Sequence, residues 1–331
     1  MQKFSTFYII ASFLLFLLYS CSDDQNTSAA SVTVSKSPVT IPKFNRDSSY
    51  NFVAQQVAFG PRVPGSEAHK LCANYLKNQL ETFGAEVTLQ NFSATAFDGT
   101  TLDGTNIIGS FNPKHPKRLI LAAHWDTRPF SDSPVNTSNS NEPNLGADDG
   151  ASGVGIWLEV ARMLKDNPID LGIDIIFFDL EDYGENSNEN SWGLGSQYWS
   201  SNFHVKNYQA EAGILLDMVG AKNAVFPKEQ FSAYFAPELL NQIWKLAQRM
   251  GYGNYFSNNN GGAITDDHYF VNTIAKIPMI DVIHRPINSN TGFPAHWHTP
   301  DDNLDIIDTK TLGAVGQVMV AAIYRFGQGN L

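Results

Sequence analysis

The sequence predicts a single α/β domain with a mixed, largely parallel central sheet and helices on both faces. Short apolar segments typical of strands alternate with amphipathic segments typical of helices along most of the chain. Residues 173–180 and 212–217 are almost wholly apolar, which indicates strands that are covered on both sides. With 331 residues, of which 43% are apolar, the chain is long enough to form one large core.

The N-terminus predicts export rather than a part of the fold. Lys3 supplies a positive charge and is followed by an apolar block at 9–18, which is typical of a signal peptide and too short for a good membrane span. Leu-Tyr-Ser-Cys at 18–21 resembles a bacterial lipobox, in which the cysteine becomes the lipidated first residue. We therefore expect a lipoprotein signal peptide at 1–20 and lipidation of Cys21. The alternative is a plain signal peptide with an incidental cysteine.

A lipid on Cys21 would anchor the protein to a membrane of the bacterial cell envelope. Ser-Asp-Asp at 22–24 resembles the acidic tag of surface-exported lipoproteins in some Bacteroidetes. This favours the outer membrane, with the protein facing the periplasm or the cell surface. Residues 21–45 are predicted to be a flexible tether, because they are rich in Ser and Thr, and 46–331 to be the folded domain.

The charge of the chain argues against nucleic-acid binding, and its cysteine content argues against an internal disulfide. The formal net charge of −11 argues against a nucleic-acid-binding surface, so no nucleic-acid partner is expected. Once Cys21 is lipidated, Cys72 is the only other cysteine, so the mature chain can form no internal disulfide. Cys72 falls in a helical apolar pattern and is predicted to lie in the core.

The first half of the domain begins with helices and continues with strands. A helix is predicted at 50–59, and a second one at 66–83, with Ser66 as its N-cap and Gly84 closing it. Alternating or continuous apolar residues then predict strands. The strands of this half are 86–92, 106–110 and 118–123.

The second half alternates helices with buried strands. Residues 151–164 carry one apolar stripe, and 237–250 form an amphipathic helical pattern. The helices predicted in this half are 151–164, 192–199, 237–250 and 309–326. The strands predicted in this half are 173–180, 212–217 and 277–283.

Histidine and acidic residues follow the ends of the predicted strands. Ligands bind outside the carboxyl ends of the strands in sheets of this kind. Zinc sites in hydrolytic enzymes and lyases take three ligands from His, Asp and Glu and keep one position open. The candidate ligands, in chain order, are His124, Asp149, Asp182, Asp217 and His298.

None of these candidates is informative by itself. Asp149 alone is more typical of a helix N-cap than of a metal ligand, and His298 alone is typical of a packed surface histidine. Their combination at successive strand ends predicts a metal site. Glu181 directly precedes Asp182, where it could act as a general acid or base.

Several segments resemble known zinc enzymes. His-Trp-Asp at 124–126, Gly-Ala-Asp-Asp-Gly at 146–150 and Glu-Asp at 181–182 resemble the zinc-dependent aminopeptidase superfamily. Within it, further segments resemble the animal-type glutaminyl cyclases, or glutaminyl-peptide cyclotransferases. These segments are 59–66, 176–179, 215–221, 266–268 and 293–303.

The resemblance, which covers about 50–324, implies one zinc ion per chain. By motif, Asp149, Asp182 and His298 would hold this zinc. Glu181 would be the proton shuttle of the reaction. The expected fold is that of the zinc aminopeptidases.

The resemblance also implies the reaction and the substrate site. Asp217 and Asp266 would form a hydrogen-bonded pair that holds the substrate amine, and Phe293 and Trp297 would be walls of the pocket. The substrates would be peptides or proteins with N-terminal glutamine. The enzyme would convert that residue to pyroglutamate and release ammonia.

The sequence departs from the animal pattern at three positions. Asp182 stands where the animal enzymes have Glu, so its strand end must approach the metal more closely. Ser187 takes the place of a pocket tryptophan, for which Trp192 is a possible substitute. Asp281 stands where the animal pattern has His.

Two other functions remain open at this point. In a two-zinc aminopeptidase, His124 and Asp217 would hold a second zinc, Asp149 would bridge both metals, and Glu181 would activate water. In a non-catalytic surface binding protein, the fold would persist with an inactive site. The presence of Glu181 and of every candidate ligand disfavours this last function.

Overall fold

A central sheet organises the part of the chain that the structure, a computed structural model, describes: residues 40–136 and 141–331. Its strands are short and mostly apolar, as the sequence pattern predicts. The strands are β1 (Glu86–Thr95), β2 (Thr101–Phe111), β3 (Arg118–His124), β4 (Gly172–Phe178), β5 (Ala212–Asp217), β6 (Phe226–Lys228), β7 (Phe256–Asn260) and β8 (Met279–Ile283).

Six of these strands form the main sheet, in the order β1-β2-β4-β3-β5-β8. The ladders that join β4, β3, β5 and β8 are parallel, whereas β2 pairs antiparallel with both β1 and β4. The predicted mixed, largely parallel sheet is therefore confirmed. The carboxyl ends of β3, β4 and β5 meet at one edge, where the polar residues that follow them are brought together.

Helices cover both faces of the sheet. The helices are α1 (Arg46–Ala58), α2 (Glu67–Thr82), α3 (Ala151–Asp166), α4 (Leu194–Ser201), α5 (Gln230–Phe235), α6 (Pro237–Arg249), α7 (Asp267–Phe270) and α8 (Thr309–Gly327). Alternate strand residues point to opposite faces. Leu119 and Leu121 pack in the larger core with α3 and α8, whereas Ile120 and Ala122 pack in a smaller core with Trp199 of α4.

The predicted positions of helices α2 and α3 agree with the structure. The Ser66 side chain accepts the amide of His69 at 3.1 Å and starts α2, and Gly84, with φ +93°, follows its end. Cys72 on α2 is fully buried, as predicted. In α3, Gly153 lies against the main chain of β5, since a Cβ there would approach the Leu216 carbonyl oxygen to 2.2 Å.

The fold begins earlier than the sequence predicted. The first helix, α1, starts at Arg46 rather than residue 50, because the Asn45 side chain accepts the amides of its first turn. Phe44, in the last part of the predicted tether, is 5% exposed. The Gln317 side chain accepts the Phe44 amide at 2.9 Å and donates to the Pro42 carbonyl at 3.1 Å. Residues 42–44 are thus attached to α8.

Four short elements were not predicted from the sequence, and the N-terminal predictions lie outside the described residues. The short elements β6, β7, α5 and α7 have too few residues to show a period, so the sequence did not predict them. The predicted signal peptide at 1–20, the lipidation site Cys21 and most of the predicted tether lie outside the described residues. Within 40–136 and 141–331, no helix is both long and apolar enough to cross a membrane.

Candidate metal centre and active-site cavity

Three predicted ligands converge beyond the carboxyl edge of the sheet. Asp149 precedes α3, Asp182 follows β4, and His298 lies in the loop before α8. His298 Nε2 is 3.1 Å from Asp182 Oδ1 and 3.8 Å from Asp149 Oδ2, and all three residues are buried. Zinc bonds of about 2.0–2.2 Å separate tetrahedral ligand atoms by roughly 3.5 Å. One imidazole and two carboxylates at this spacing fit a zinc ion with an open fourth position.

A second triad shares Asp149 with the first. His124 Nε2 is 2.9 Å from Asp149 Oδ1 and 3.3 Å from Asp217 Oδ1. These three residues are also buried, and they too could hold a metal ion. The geometry therefore keeps the ligands of a two-metal site together. His124 differs from the other candidates because it is not among the residues that line the adjoining cavity.

A cavity of about 260 Å³ opens onto the first triad. It brings together all eight residues that the sequence assigned to the zinc, the proton shuttle and the substrate. These are Asp149, Glu181, Asp182, Asp217, Asp266, Phe293, Trp297 and His298. Residues separated by up to 149 positions in the chain thus share one site.

Glu181 is the carboxylate best suited to proton transfer. Burial raises the pKa of Glu181 well above its usual value, and Asp266 and Asp182 add to this effect, although His124 opposes it. A carboxylic acid that titrates closer to neutral pH both accepts and returns a proton more readily. The main-chain amide of Glu181 donates to Asp126 Oδ1 at 3.1 Å, which holds the start of this loop in place.

Aromatic rings form the walls of the cavity. The rings of Phe293 and Trp297 are stacked at 4.2 Å, and Trp297 is stacked on the ligand His298 at 3.7 Å. Trp192 lines the same cavity and lies parallel to the His298 ring at 6.1 Å. Trp192 is therefore an aromatic wall of the cavity, whereas Ser187 is not among the described residues that line it.

The Asp217 and Asp266 carboxyl groups each have another partner among the described residues, and the predicted hydrogen bond between them stays a prediction. Asp217 bonds to His124, and Asp266 Oδ1 accepts the amide of Asp267. Asp266 Oδ2 is buried without a protein partner. Both carboxyl groups line the cavity, and burial raises the pKa of each. The free Oδ2 leaves an acceptor for a substrate amine.

Arg128 and Asp132 support the candidate ligand His298, and the sequence did not indicate this role. Asp132 Oδ1 is 3.2 Å from His298 Nδ1, the ring nitrogen that faces away from the metal ligands. The Arg128 guanidinium donates twice to Asp132 and once to the Asp182 carbonyl. Burial would raise the pKa of Asp132, but His298 and Arg128 hold it well below its usual range. This carboxylate fixes the orientation of the His298 ring.

Two further buried carboxylates position the ligand loops through their amides. Asp302 accepts the amides of Asp148 and Asp149 at 2.7 and 3.2 Å. Asp126 accepts the amide of Asp182 at 3.1 Å. Burial, together with the nearby Asp148 carboxylate, raises the pKa of Asp302 to about 7. The spacing of these residues in the chain gave no sign of this role, since each bond joins distant segments.

Left-handed backbone conformations occur at three turns of the site. Leu180 before Glu181 has φ +56°, Met218 has φ +48°, and His298 has φ +53°. Such values are uncommon for residues other than glycine and cost of order 1–3 kcal/mol each. The surrounding packing holds these turns, and they direct the neighbouring carboxylates and the His298 ring into the cavity.

The chain is similar to known zinc enzymes over most of its length. The model of the family described as "Peptidase family M28" matches residues 106–323, about two thirds of the chain. A Zn-dependent exopeptidase from Parabacteroides distasonis shares 52% identity with a TM-score of 0.84, covering 86% of this chain and 99% of that chain.

Two relatives carry the name of a cyclase. The structure of the Bacteroides thetaiotaomicron glutaminyl cyclase shares 51% identity with a TM-score of 0.84, covering 86% of this chain and 99% of that chain. The glutaminyl-peptide cyclotransferase of Bothrops jararaca is 27% identical over 300 residues, covering 80% of this chain and 77% of its own. On the family match and these similarities, the chain belongs to peptidase family M28.

Proposed function

We propose that the chain is a zinc-dependent glutaminyl-peptide cyclotransferase with one zinc ion. The observation that carries this proposal is the cavity: it exposes Asp149, Asp182 and His298 beside Glu181, while His124 of the second triad lies outside its lining. The similarity to solved glutaminyl cyclases at about half identity supports it. The product would be an N-terminal pyroglutamate.

The aromatic walls would orient the reacting groups. An N-terminal glutamine carries both its nucleophile, the α-amine, and its electrophile, the γ-amide carbonyl. The stacked Phe293 and Trp297 rings and the facing Trp192 leave a narrow cavity that suits a flat amide side chain. Holding this flexible side chain folded brings the amine to the carbonyl, which removes much of the entropic barrier to ring closure.

The carboxyl groups would bind the amine and move its proton. Asp266 Oδ2 has no hydrogen-bond partner within residues 40–136 and 141–331 and would accept a hydrogen bond from the α-amine. Glu181 would take a proton from the amine as the ring closes and return it to the departing ammonia. A zinc ion held by Asp149, Asp182 and His298 would act as the Lewis acid for the γ-amide carbonyl.

A two-zinc aminopeptidase is the competing function. It is favoured by the second triad of His124, Asp149 and Asp217, and by solved relatives described as exopeptidases. In that case Glu181 would activate water, and the main-chain peptide bond would be broken. A non-catalytic binding protein is a weaker alternative, since Glu181 and both triads are present.

Attachment to the cell envelope is a second part of the proposal. The support is the sequence at 18–21, which resembles a lipobox and ends in Cys21. Diacylation of Cys21 would hold the enzyme at a membrane, most consistently the outer membrane. Its substrates would then be exported peptides and proteins.

Two short peptides separate cyclisation from hydrolysis. We expect the purified protein to remove ammonia, about 17 mass units, from a peptide with N-terminal Gln and to keep every residue of it. A matched peptide with N-terminal Leu should remain unchanged, because it has no γ-amide. Mass spectrometry of both mixtures checks this. Free glutamine or leucine without a pyroglutamyl product would establish the aminopeptidase function instead.

Metal content separates one zinc from two. We expect about one tightly held zinc ion per chain, since all of Asp149, Asp182 and His298 line the cavity, whereas His124 of the second triad does not. Elemental analysis of protein purified without chelator measures this number. Two firmly held zinc ions, both needed for activity, would contradict the proposed site.

Replacing Glu181 tests the proton shuttle. Glu181→Gln keeps the size of the side chain but removes its ionisable group, so we expect turnover to fall by about 100-fold or more. Zinc content should stay at the wild-type level. Glu238→Gln, at an exposed position on α6, is the matched control. If Glu181→Gln also lost its zinc, Glu181 would have to be reassigned as a metal ligand.

Lipidation is tested at Cys21 in the producing cell. Cys21→Ala should release the protein from the membrane fraction or leave its precursor uncleaved, because it removes the acceptor of the lipid. Cys72→Ala, at the other cysteine, should leave the fractionation unchanged. Immunoblots of membrane and soluble fractions measure both outcomes. Unaltered membrane association of Cys21→Ala would refute the anchor.

A further inference from the structure

Arg285 stands at the outer end of the aromatic wall. The wall begins at the ligand His298 and continues through Trp297, stacked at 3.7 Å, and Phe293, stacked at 4.2 Å. The Arg285 guanidinium carbon lies 5.0 Å from the centre of the Phe293 ring. The Arg285 amide donates to the Val225 carbonyl at 3.0 Å, so the main chain at this position is fixed.

The charge of Arg285 has no hydrogen-bonded carboxylate among residues 40–136 and 141–331. The acidic groups that act electrostatically on the Arg285 guanidinium are Asp281 and Glu229. Burial raises the pKa of Asp281 well above its usual value, and the Asp266 and Asp217 carboxyl groups add to this effect. The Glu229 carboxylate accepts from His268 at 3.0 Å and from the amides that start α5. The guanidinium, which remains charged when partly buried, therefore lines the cavity with no hydrogen-bonded carboxylate among these described residues.

Arg285 also contrasts in charge with the rest of the cavity. It is the one arginine or lysine among the described residues that line it. The carboxyl groups that line it are Asp149, Glu181, Asp182, Glu189, Asp217 and Asp266. Five of these carboxyl groups belong to the proposed sites for the zinc ion, the proton shuttle and the substrate amine. The sixth, Glu189, is exposed to solvent. A half-buried arginine attracts an anion more strongly than an exposed, screened glutamate repels it.

We propose that Arg285 binds a substrate carboxylate, so that the enzyme favours peptides with Asp or Glu shortly after the N-terminal glutamine. This rests on the proposed cyclase function. With the glutamine side chain at the metal, each further residue of an extended peptide advances about 3.3–3.6 Å. The second and third residues would therefore pass along the stacked rings toward Arg285. A guanidinium binds a carboxylate through two parallel hydrogen bonds, which gives it selectivity for this group.

The contact would act on binding rather than on the chemical step. A carboxylate two residues away from the γ-amide changes neither charge nor position as the ring closes. Interactions that are equal in the ground state and the transition state alter KM and leave kcat unchanged. This separates Arg285 from Glu181, whose replacement is expected to lower kcat.

The test measures kcat and KM from ammonia release for peptides with Glu, Ala or Lys at the second position, and then at the third. We expect wild-type KM to be about tenfold lower for the Glu peptide than for the Lys peptide at one of these positions. Arg285→Gln should remove this preference and Arg285→Glu should invert it, with both changes appearing in KM rather than in kcat. Arg162→Gln, at the far end of α3, is the control.

Two outcomes would overturn the proposal. Wild-type enzyme could show equal KM for the Glu, Ala and Lys peptides, or Arg285→Gln could raise KM equally for all three, which would indicate a contact with the peptide main chain. Absence of ammonia from every glutamine peptide would instead count against the cyclase function. In that case, calorimetric binding of the same peptides to wild type and Arg285→Glu still decides whether Arg285 selects a carboxylate.

Discussion

The structure depends on the stable burial of several carboxyl groups at one edge of the sheet. Asp149, Asp182 and Asp217 are each at most 7% exposed, and Glu181 and Asp266 lie beside them. Like charges in a medium of low dielectric repel strongly, so such a group must share protons, bind a cation or receive hydrogen bonds. Burial raises the pKa of both Glu181 and Asp266, and the neighbouring carboxyl groups add to this effect. A bound metal ion would reduce the repulsion between these carboxylates. The raised pKa of Glu181 would help it to transfer a proton in catalysis.

Hydrogen bonds from the surrounding chain make this arrangement rigid. Asp126 and Asp302 accept main-chain amides from the loops that carry the ligands, while Arg128 neutralises Asp132 behind His298. These contacts connect segments from β3, from the loop after β4 and from the region before α8. The ligands are therefore held at their spacing by the fold itself. This pre-organisation lowers the cost of metal binding and keeps the cavity in one shape.

Two chemistries are described for proteins similar to this chain, and the proposed function rests on the form of the cavity. Relatives of this chain are described both as exopeptidases and as glutaminyl cyclases. The ligands of both metal positions are present, but His124 is removed from the cavity lining and the walls carry Trp192, Phe293 and Trp297. Flat walls around a single exposed triad favour a reaction within one folded side chain. An extended substrate would then leave along the rings toward Arg285.

The sequence by itself determined most of the fold and the identity of the site. Apolar segments covered on both faces predicted the parallel core, and strand ends followed by His, Asp and Glu predicted the ligands, because both patterns are local. Motif resemblance added Asp266 and Phe293, whose roles no local pattern indicates. The sequence placed the start of α1 four residues too late. The N-cap of this helix, Asn45, lies in a polar stretch that was predicted to be a flexible tether.

Only the tertiary structure decided which groups meet. The bond between Asp132 and His298 joins residues 166 positions apart, and the amides bound by Asp302 lie about 150 positions away. The place of Trp192 in the cavity wall and the position of Arg285 beside Phe293 also depend on how the loops pack. A sequence pattern records the period of one segment, whereas these contacts arise because parallel strands bring separate segments to the same edge.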